Sequence, residues 1–401
     1  MGTEARQALN RVHRPAQADA PHAVAATHRA WASVDLSAVR HNVLLVKRLV
    51  GPGAEVAAVV KADAYGHGAV PVGRAAVQAG AAALVVASAR EGVELREAGL
   101  DSPIIIIGAS LPCNAEAIVA FELSAALSPP EMLGALAAEA RRRGTRARVH
   151  LMADLGMRRV GATPDEALAL ITRVAATPEL ELEGIASHFA TADGADVAPS
   201  REVVAEFERL LAAARAAGLE PRYVHLANSA GVLRLPGSHF NLVRAGIILY
   251  GMAGAPLLEG MADWRPALAW RTRVVYVRRV PAGTPVGYGH TYTTTQPTVV
   301  ATLPVGYHDG FVRAYSSNAD VLVRGRRVPV IGRVSMDYTT VDATAVPDVA
   351  VGEVATLVGC DGDEEIRAEE LARRRGTIPY EVTCAIGPRV QRIHVDTEGT
   401  A

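Results

Sequence analysis

The fold class this sequence predicts is α/β: an N-terminal (β/α)8 barrel followed by a C-terminal mostly-β domain. Three observations carry it. Eight apolar runs between residues 56 and 249 alternate with Ala/Leu/Glu/Arg-rich stretches of helical character, as strands and helices do in such barrels. The runs are nearly continuous in apolar residues, as parallel strands buried on both faces should be. After Gly251 the helical periodicity fades, and Val/Thr/Tyr-rich runs with Gly/Pro turns take over, the pattern of β structure. A doubly wound open sheet shares the first two features and stays open as the alternative. At 401 residues the chain is long enough for two domains. The expected division is a mobile polar tail over 1–30, the barrel over 31–260 and the β domain over 261–401, with which residues 31–34 could pair.

Taken in order, Trp31 to Val34 forms a short strand, and Asp35 or Ser37 caps a helix running to about Leu49. Barrel strands follow near 56–61, 83–88, 103–107, 123–127, 148–153, 182–188, 223–227 and 242–249. Helices lie over 68–79, 90–98, 130–143, 164–176 and 200–217. Gly80, Gly99, Gly144 and Gly218 sit just past several of these helices, where a left-handed C-cap belongs. The β domain carries strands near 271–280, 297–305, 320–324, 327–331, 338–342 and 354–358, and Pro281-Ala282-Gly283-Thr284 is turn chemistry.

Composition narrows the function classes. Half the residues are hydrophobic and the net charge is −1, so no basic face is offered to nucleic acid or to an anionic membrane. The apolar runs are too short to span a bilayer. Three cysteines, Cys113, Cys360 and Cys384, show no CxxC spacing; they indicate neither a disulfide framework nor a zinc site and fit a reducing, cytoplasmic setting. No metal is expected.

Polar residues stand at the ends of the barrel strands, where such barrels build their active sites. Lys61 closes the first run, Ser88 the second, and Asp154 follows the fifth. His188 ends the sixth, Asn228 and Ser229 the seventh, and Arg244 lies in the eighth. Each alone is more often a satisfied structural group; polar residues at six strands in one layer point to a site. A partly desolvated lysine there becomes nucleophilic near neutral pH and can form a Schiff base with a carbonyl. Ser229 with the turn at Ala230 and Gly231, and the backbone N–H groups near Gly246 and Ile247, suit a phosphate.

The stretch Val59-Val60-Lys61-Ala62-Asp63-Ala64-Tyr65-Gly66-His67-Gly68 resembles the pyridoxal-phosphate signature of the alanine racemase family. The resemblance continues through Gly184 to Ala190, His225 to Ala230, Val243 to Gly251, Gly287 to Tyr292, Pro304 to Gly310, Gly332 to Asp337 and Thr377 to Glu381. It implies pyridoxal 5'-phosphate as cofactor, a small amino-acid substrate with alanine expected, and a homodimer whose active site is shared between subunits. By the same resemblance Lys61 carries the cofactor and works on one face of the substrate, while Tyr288 of the partner subunit works on the other. Racemisation removes a proton from one side and returns it to the opposite side, so two bases are a natural solution. A phenol of ordinary pKa about 10 needs neighbours that stabilise its anion, and His188 and Arg159 are implied. Arg244 would face the pyridine nitrogen; since an arginine keeps its proton, the ring stays a weaker electron sink, which suppresses transamination and β-elimination. Tyr65, Asn228, Ser229, Gly246, Ile247 and Tyr380 complete the implied cofactor site, Arg159 and Met336 would meet the substrate carboxylate, and Tyr307 would line the entrance.

Departures from the family pattern accompany the likeness. Met152 stands where many members have a lysine that is carbamylated and whose negative charge positions the arginine placed here at Arg159. Leu155, Arg158, Ser335 and Pro379 also depart from common family residues. A racemase for another amino acid such as serine, a barrel-type decarboxylase and a non-catalytic cofactor-binding protein are the alternatives; Tyr288, Tyr307 and Arg244 argue against the decarboxylase, and the β domain with Tyr288 and Met336 against the non-catalytic protein.

Overall fold

The computed structural model describes residues 28–127, 130–254, 257 and 263–396. Most of the expected 1–30 tail lies outside these residues. Of it, Ala30 opens the first strand, β1 (Ala30–Asp35). The described chain divides into two compact units: residues 39–249 with 257 and 263–264, and residues 28–38, 250–254 and 265–396. The sequence expectation put 31–38 with the barrel while allowing 31–34 to pair with the β domain. Their place in the other unit follows from strand pairing, given below.

Helix α1 (Leu36–Val50) leads into the larger unit, which takes it up from Val39. Asp35 caps it, its Oδ1 accepting the N–H groups of Ser37 and Ala38 at 2.8 and 3.2 Å. Strands β2 (Glu55–Val59), β3 (Ala83–Val86), β4 (Ile104–Ile106), β5 (Ser124–Leu127), β6 (Ala147–Met152), β7 (Leu180–Ala186), β8 (Tyr223–His225) and β9 (Leu242–Ala245) follow. They pair in parallel in the order β8-β7-β6-β5-β4-β3-β2-β9. The ring nearly closes between its ends, where Arg244 on β9 donates its backbone N–H to Ala227 C=O just after β8, at 2.9 Å. This is the (β/α)8 barrel; the open-sheet alternative, whose edge strands would stay apart, is ruled out. The crossovers are α2 (Ala69–Gln78), α3 (Ala89–Glu97), α4 (Ala115–Ala120), α5 (Pro130–Arg143), α6 (Pro164–Ala175), α7 (Ala198–Ala216) and the short α8 (Ser229–Arg234). Their ends obey local chemistry. Thr163 and Glu166 form a reciprocal capping box on α6, and Gly80, Gly99, Gly144 and Gly218 all adopt left-handed φ between 67° and 87°. Strands with four consecutive buried side chains, such as β3, show the two-sided burial of a parallel sheet.

Several strands are shorter than their apolar runs. β2 stops at Val59 and β7 at Ala186, so Lys61 and His188 lie beyond the strand ends rather than on them. The run 242–249 breaks at Gly246 into β9 and a 3-10 turn over Ile247–Tyr250. Apolar continuity marks burial, not backbone conformation, and a buried turn reads like a strand.

The second unit holds β1 and the strands β10 (Leu268–Arg273), β11 (Tyr276–Val280), β12 (Pro285–Val286), β13 (Tyr292–Thr293), β14 (Thr298–Leu303), β15 (Asp320–Val323), β16 (Arg326–Pro329), β17 (Thr339–Asp342), β18 (Val354–Asp361), β19 (Glu364–Ile366) and β20 (Gln391–Val395). β1 is antiparallel to β10 and parallel to β20, so a strand from the N-terminal end sits inside this unit's largest sheet. Two helices, α9 (Ala368–Arg375) and α10 (Pro379–Cys384), were not read from the sequence. The signals were present: α9 carries Glu369 and Glu370 in its first turn, Arg373 to Arg375 in its last, and Gly376 at φ 71° as its cap. Among the described residues no helix is long and apolar enough to cross a membrane.

Trp270 on β10 is fully buried with its ring edge on Phe311, centroids 6.0 Å apart. Trp270→Ala is expected to cost about 3–5 kcal/mol, read as a fall in the urea midpoint of unfolding at unchanged m-value.

Candidate active site

Immediately after β2 the backbone does something unusual for L-residues. Ala62, Asp63, Ala64 and Tyr65 all lie in the left-handed region, with φ between 52° and 54°. Each such residue costs on the order of 1–2 kcal/mol, so the turn persists only because its surroundings hold it. Glu91 on α3 supplies much of that hold. One carboxylate oxygen accepts Ala62 N–H at 2.9 Å, and the other accepts Ala87 N–H at 2.7 Å, tying the turn to the end of β3. On the far side, Asp63 accepts Ala69 N–H at 2.7 Å, fastening the turn to the first residue of α2. Lys61 is the first residue of this turn and is half-buried.

The turn carries Tyr65 inward. A Cβ built on Gly246 would come within 2.7 Å of the Tyr65 hydroxyl, so only glycine at 246 lets the phenol lie there. The Gly246 N–H donates to Ser229 Oγ at 2.9 Å. Ser229 opens α8, whose cap is Asn228: its Oδ1 accepts Gly231 N–H at 3.0 Å. Ile247 is buried beside Gly246. A tyrosine hydroxyl, a serine hydroxyl and the 246–247 backbone thus converge, the donor set of a phosphate site.

Arg244, only 2% exposed, lies on β9. Its Nη1 donates to His225 Nδ1 at 2.8 Å and to His225 C=O at 2.9 Å. Its Nη2 donates to Ser187 C=O at 2.8 Å, Leu226 C=O at 3.1 Å and His188 Nδ1 at 3.1 Å. Burial brings its pKa down to about 10, which leaves it charged at neutral pH. Burial, then the charges of Arg244, Arg159 and Lys61, push His188 down to about 3. A neutral imidazole ringed by three cations describes a site built for an anionic ligand.

Arg159 is exposed, on the loop after β6. Asp154 organises that loop, its Oδ1 accepting the N–H groups of Gly156 and Arg158 at 3.0 and 2.9 Å. Met152 is buried at the end of β6.

The remaining expected residues belong to the other unit. Tyr288, 73% exposed, stands in a 3-10 turn between Gly287 and Gly289, whose φ values are 71° and 68°. Tyr307 and Met336 are backbone neighbours: the N–H groups of Tyr307 and His308 donate to Ser335 and Met336 C=O at 3.0 and 3.2 Å. Both side chains are exposed. Tyr380 is half-buried on the first turn of α10.

The family described as alanine racemase, N-terminal domain, matches residues 34–254, and alanine racemase, C-terminal domain, matches residues 267–394. The chain belongs to the alanine racemase family. It is therefore an enzyme of the isomerase class, an amino-acid racemase. The alanine racemase of Symbiobacterium thermophilum is 46% identical over 367 residues, 91% of this chain and 96% of that protein. The crystal structure of alanine racemase from D-cycloserine producing Streptomyces lavendulae has a TM-score of 0.88 at 37% identity, covering 92% of this chain and 97% of that one. The alanine racemase of Bacillus anthracis with bound L-Ala-P gives 0.86 at 35% identity, covering 92% and 95%.

Sequence reasoning missed what supports Arg244 and the Lys61 turn: His225, His150, Glu183 and Glu91. Their polarity inside apolar runs was the available signal.

Glu91→Ala is expected to cost about 1–3 kcal/mol, the desolvation left by two N–H groups without their acceptor, and to raise amide exchange at Ala62 and Ala87. His188 and His225 are both held below the ordinary imidazole value of 6.5, by burial first. They are neutral when folded and take up protons on unfolding, so stability is intact above about pH 6.5 and falls below it. Each contributes a slope of about 1.4 kcal/mol per pH unit, persisting for His188 down toward its folded value near 3. His188→Gln should remove one proton's worth of slope between pH 6.5 and 5, measured by urea unfolding; an unchanged slope would mean His188 is already protonated in the folded chain.

Proposed function

We propose that this protein racemises a small amino acid, L-alanine to D-alanine, using pyridoxal 5'-phosphate and two bases, Lys61 and Tyr288 of the partner subunit. The observation that carries the reading is the convergence of Lys61, the Tyr65–Gly246–Ser229 cradle and the hydrogen-bonded His188–Arg244 pair within one unit of an alanine racemase family chain. The donor set fits the cofactor by its chemistry. An amine suits an aldehyde, two hydroxyls and backbone amides suit a phosphate, and a guanidinium suits a ring nitrogen.

When bound, the cofactor supplies the aldehyde and an electron-withdrawing ring that acidifies the substrate's α-carbon. The Lys61 amine takes or returns the α-proton on one face. The Tyr288 hydroxyl does so on the other, with His188 and Arg159 as its neighbours. Arg244, fixed by five hydrogen bonds, keeps its own protons and so lends none to the ring nitrogen. Tyr65, Asn228, Ser229, Gly246, Ile247 and Tyr380 hold the phosphate end. Arg159 and the backbone at Met336 bind the substrate carboxylate, and Tyr307 lines the entrance. The exposed Tyr288, Tyr307, Met336 and Tyr338 support a homodimer in which the 261–401 region of one subunit completes the 31–260 site of the other. Exposed cysteines at 113, 360 and 384 are consistent with a cytoplasmic enzyme.

Met152 favours a second reading on one point. A buried thioether gives Arg159 no anion, so the carboxylate pocket differs from that of lysine-bearing members, and serine is the alternative substrate.

With L-alanine and cofactor, the wild type should interconvert the enantiomers, followed by circular dichroism. Lys61→Ala should abolish turnover. Tyr288→Phe should keep the cofactor's visible absorption while kcat falls by about 10²–10⁴; full activity in either variant would reject the two-base assignment. A panel including serine settles the substrate by relative kcat/KM.

A further inference from the structure

Behind Arg244 lies a row of buried polar side chains that the proposed chemistry does not use. His225 on β8, His150 on β6, Glu183 on β7 and Ser124 on β5 are each at most 2% exposed. His225 Nε2 lies 2.8 Å from His150 Nδ1, and His150 Nε2 lies 3.0 Å from Glu183 Oε2. The same carboxylate oxygen accepts the Ser124 hydroxyl. Four strands besides β9 each contribute one group, in a barrel interior where apolar residues would pack at no electrostatic cost. Room for the row is made deliberately: a Cβ on Gly184 would fall 2.2 Å from His150 Nδ1.

We propose that Glu183 is a positioning residue for Arg244, acting through His150 and His225 as a hydrogen-bond relay that runs in one direction. A guanidinium only donates and an ionised carboxylate only accepts, and between such ends the proton positions are determined. Arg244 Nη1 donates to His225 Nδ1, so His225 carries its proton on Nε2. That proton is donated to His150 Nδ1, which places the His150 proton on Nε2, and Glu183 accepts it. A second proton on either ring would set two N–H groups against each other. Two further observations fit the relay. Burial first, then the nearby Arg244, keep His225 far below the ordinary imidazole range. At Glu183 burial acts upward, yet the bonds from His150 and Ser124 outweigh it and hold the carboxyl below its usual range.

The consequence is orientation. Without an acceptor at 183, His150 is released to its other tautomer, His225 follows, and an Nδ1–H then faces the guanidinium and turns it away. The importance of this for catalysis rests on the reading above that Arg244 faces the cofactor's ring nitrogen; the relay itself does not.

The test is ¹⁵N NMR of histidine-labelled protein, recorded with pyridoxal 5'-phosphate added and without it. At pH 8 His150 and His225 should both appear as Nε2–H tautomers. Either ring as Nδ1–H or as imidazolium overturns the relay. Glu183→Leu should give mixed tautomers and lower kcat by about 10–100-fold with KM within about twofold. Glu183→Gln, which keeps an acceptor oxygen, should restore the single tautomers and bring kcat to within about threefold of wild type. A folded Glu183→Leu protein with wild-type tautomers also overturns the proposal. Should that variant not fold, the wild-type spectrum decides alone. Failure to bind the cofactor would refute the proposed function and leave the tautomer pattern to be read independently.

Discussion

A guanidinium enclosed by protein is tolerable only when its N–H groups find acceptors. Leaving such a charge without partners costs several kcal/mol, and Arg244 is answered by two imidazole nitrogens and three backbone carbonyls. Meeting that demand shapes the surrounding barrel. The carbonyls of Ser187 and Leu226, just past the ends of β7 and β8, and that of His225 all accept from it. The backbone of Arg244 itself bonds to Ala227, so the residue that carries the buried charge also helps close the ring of strands. A site that must hold a cation in fixed orientation and a barrel that must close are here satisfied by one residue.

The left-handed turn at 62–65 is the second constraint. Four L-residues in that conformation would not persist in an isolated peptide. They do so here because Glu91 and Asp63 bond the turn to β3 and α2. The gain is placement. The turn sets the Lys61 amine and the Tyr65 phenol from one short segment, the second against Gly246 at a distance no side chain on 246 would allow. Strain stored beside a reactive group is a common feature of functional sites, and here its restraints include two carboxylates, Glu91 on α3 and Asp63 within the turn itself.

The second unit depends on a strand borrowed from the far end of the chain. β1 lies between β10 and β20, so this sheet cannot form until residues more than 230 positions apart have met. Its functional loops are built more locally. The segments that carry Tyr307 and Met336 are joined by backbone hydrogen bonds from Tyr307 to Ser335 and from His308 to Met336, and Tyr288 rides on a turn between two left-handed glycines.

The sequence by itself determined the alternation of strands and helices, the helix caps and the list of polar residues at strand ends. All of these follow from chemistry within a few positions: apolar period, Thr163 and Glu166 as a cap, glycine just past a helix. It also exposed Lys61, His188, Ser229 and Arg244, since polar side chains ending apolar runs are conspicuous. Only the tertiary structure decided that the run through Lys61 leaves the strand for a left-handed turn, that the run through Gly246 breaks, and that β1, for which the sequence left this pairing open, lies between β10 and β20. Apolar runs report burial, and burial is the same for a strand, a buried turn or a strand lent to another sheet. The Glu183–His150–His225–Arg244 row was equally hidden. Its members lie on four strands, and nothing in local sequence tells a buried histidine which neighbour will receive its proton.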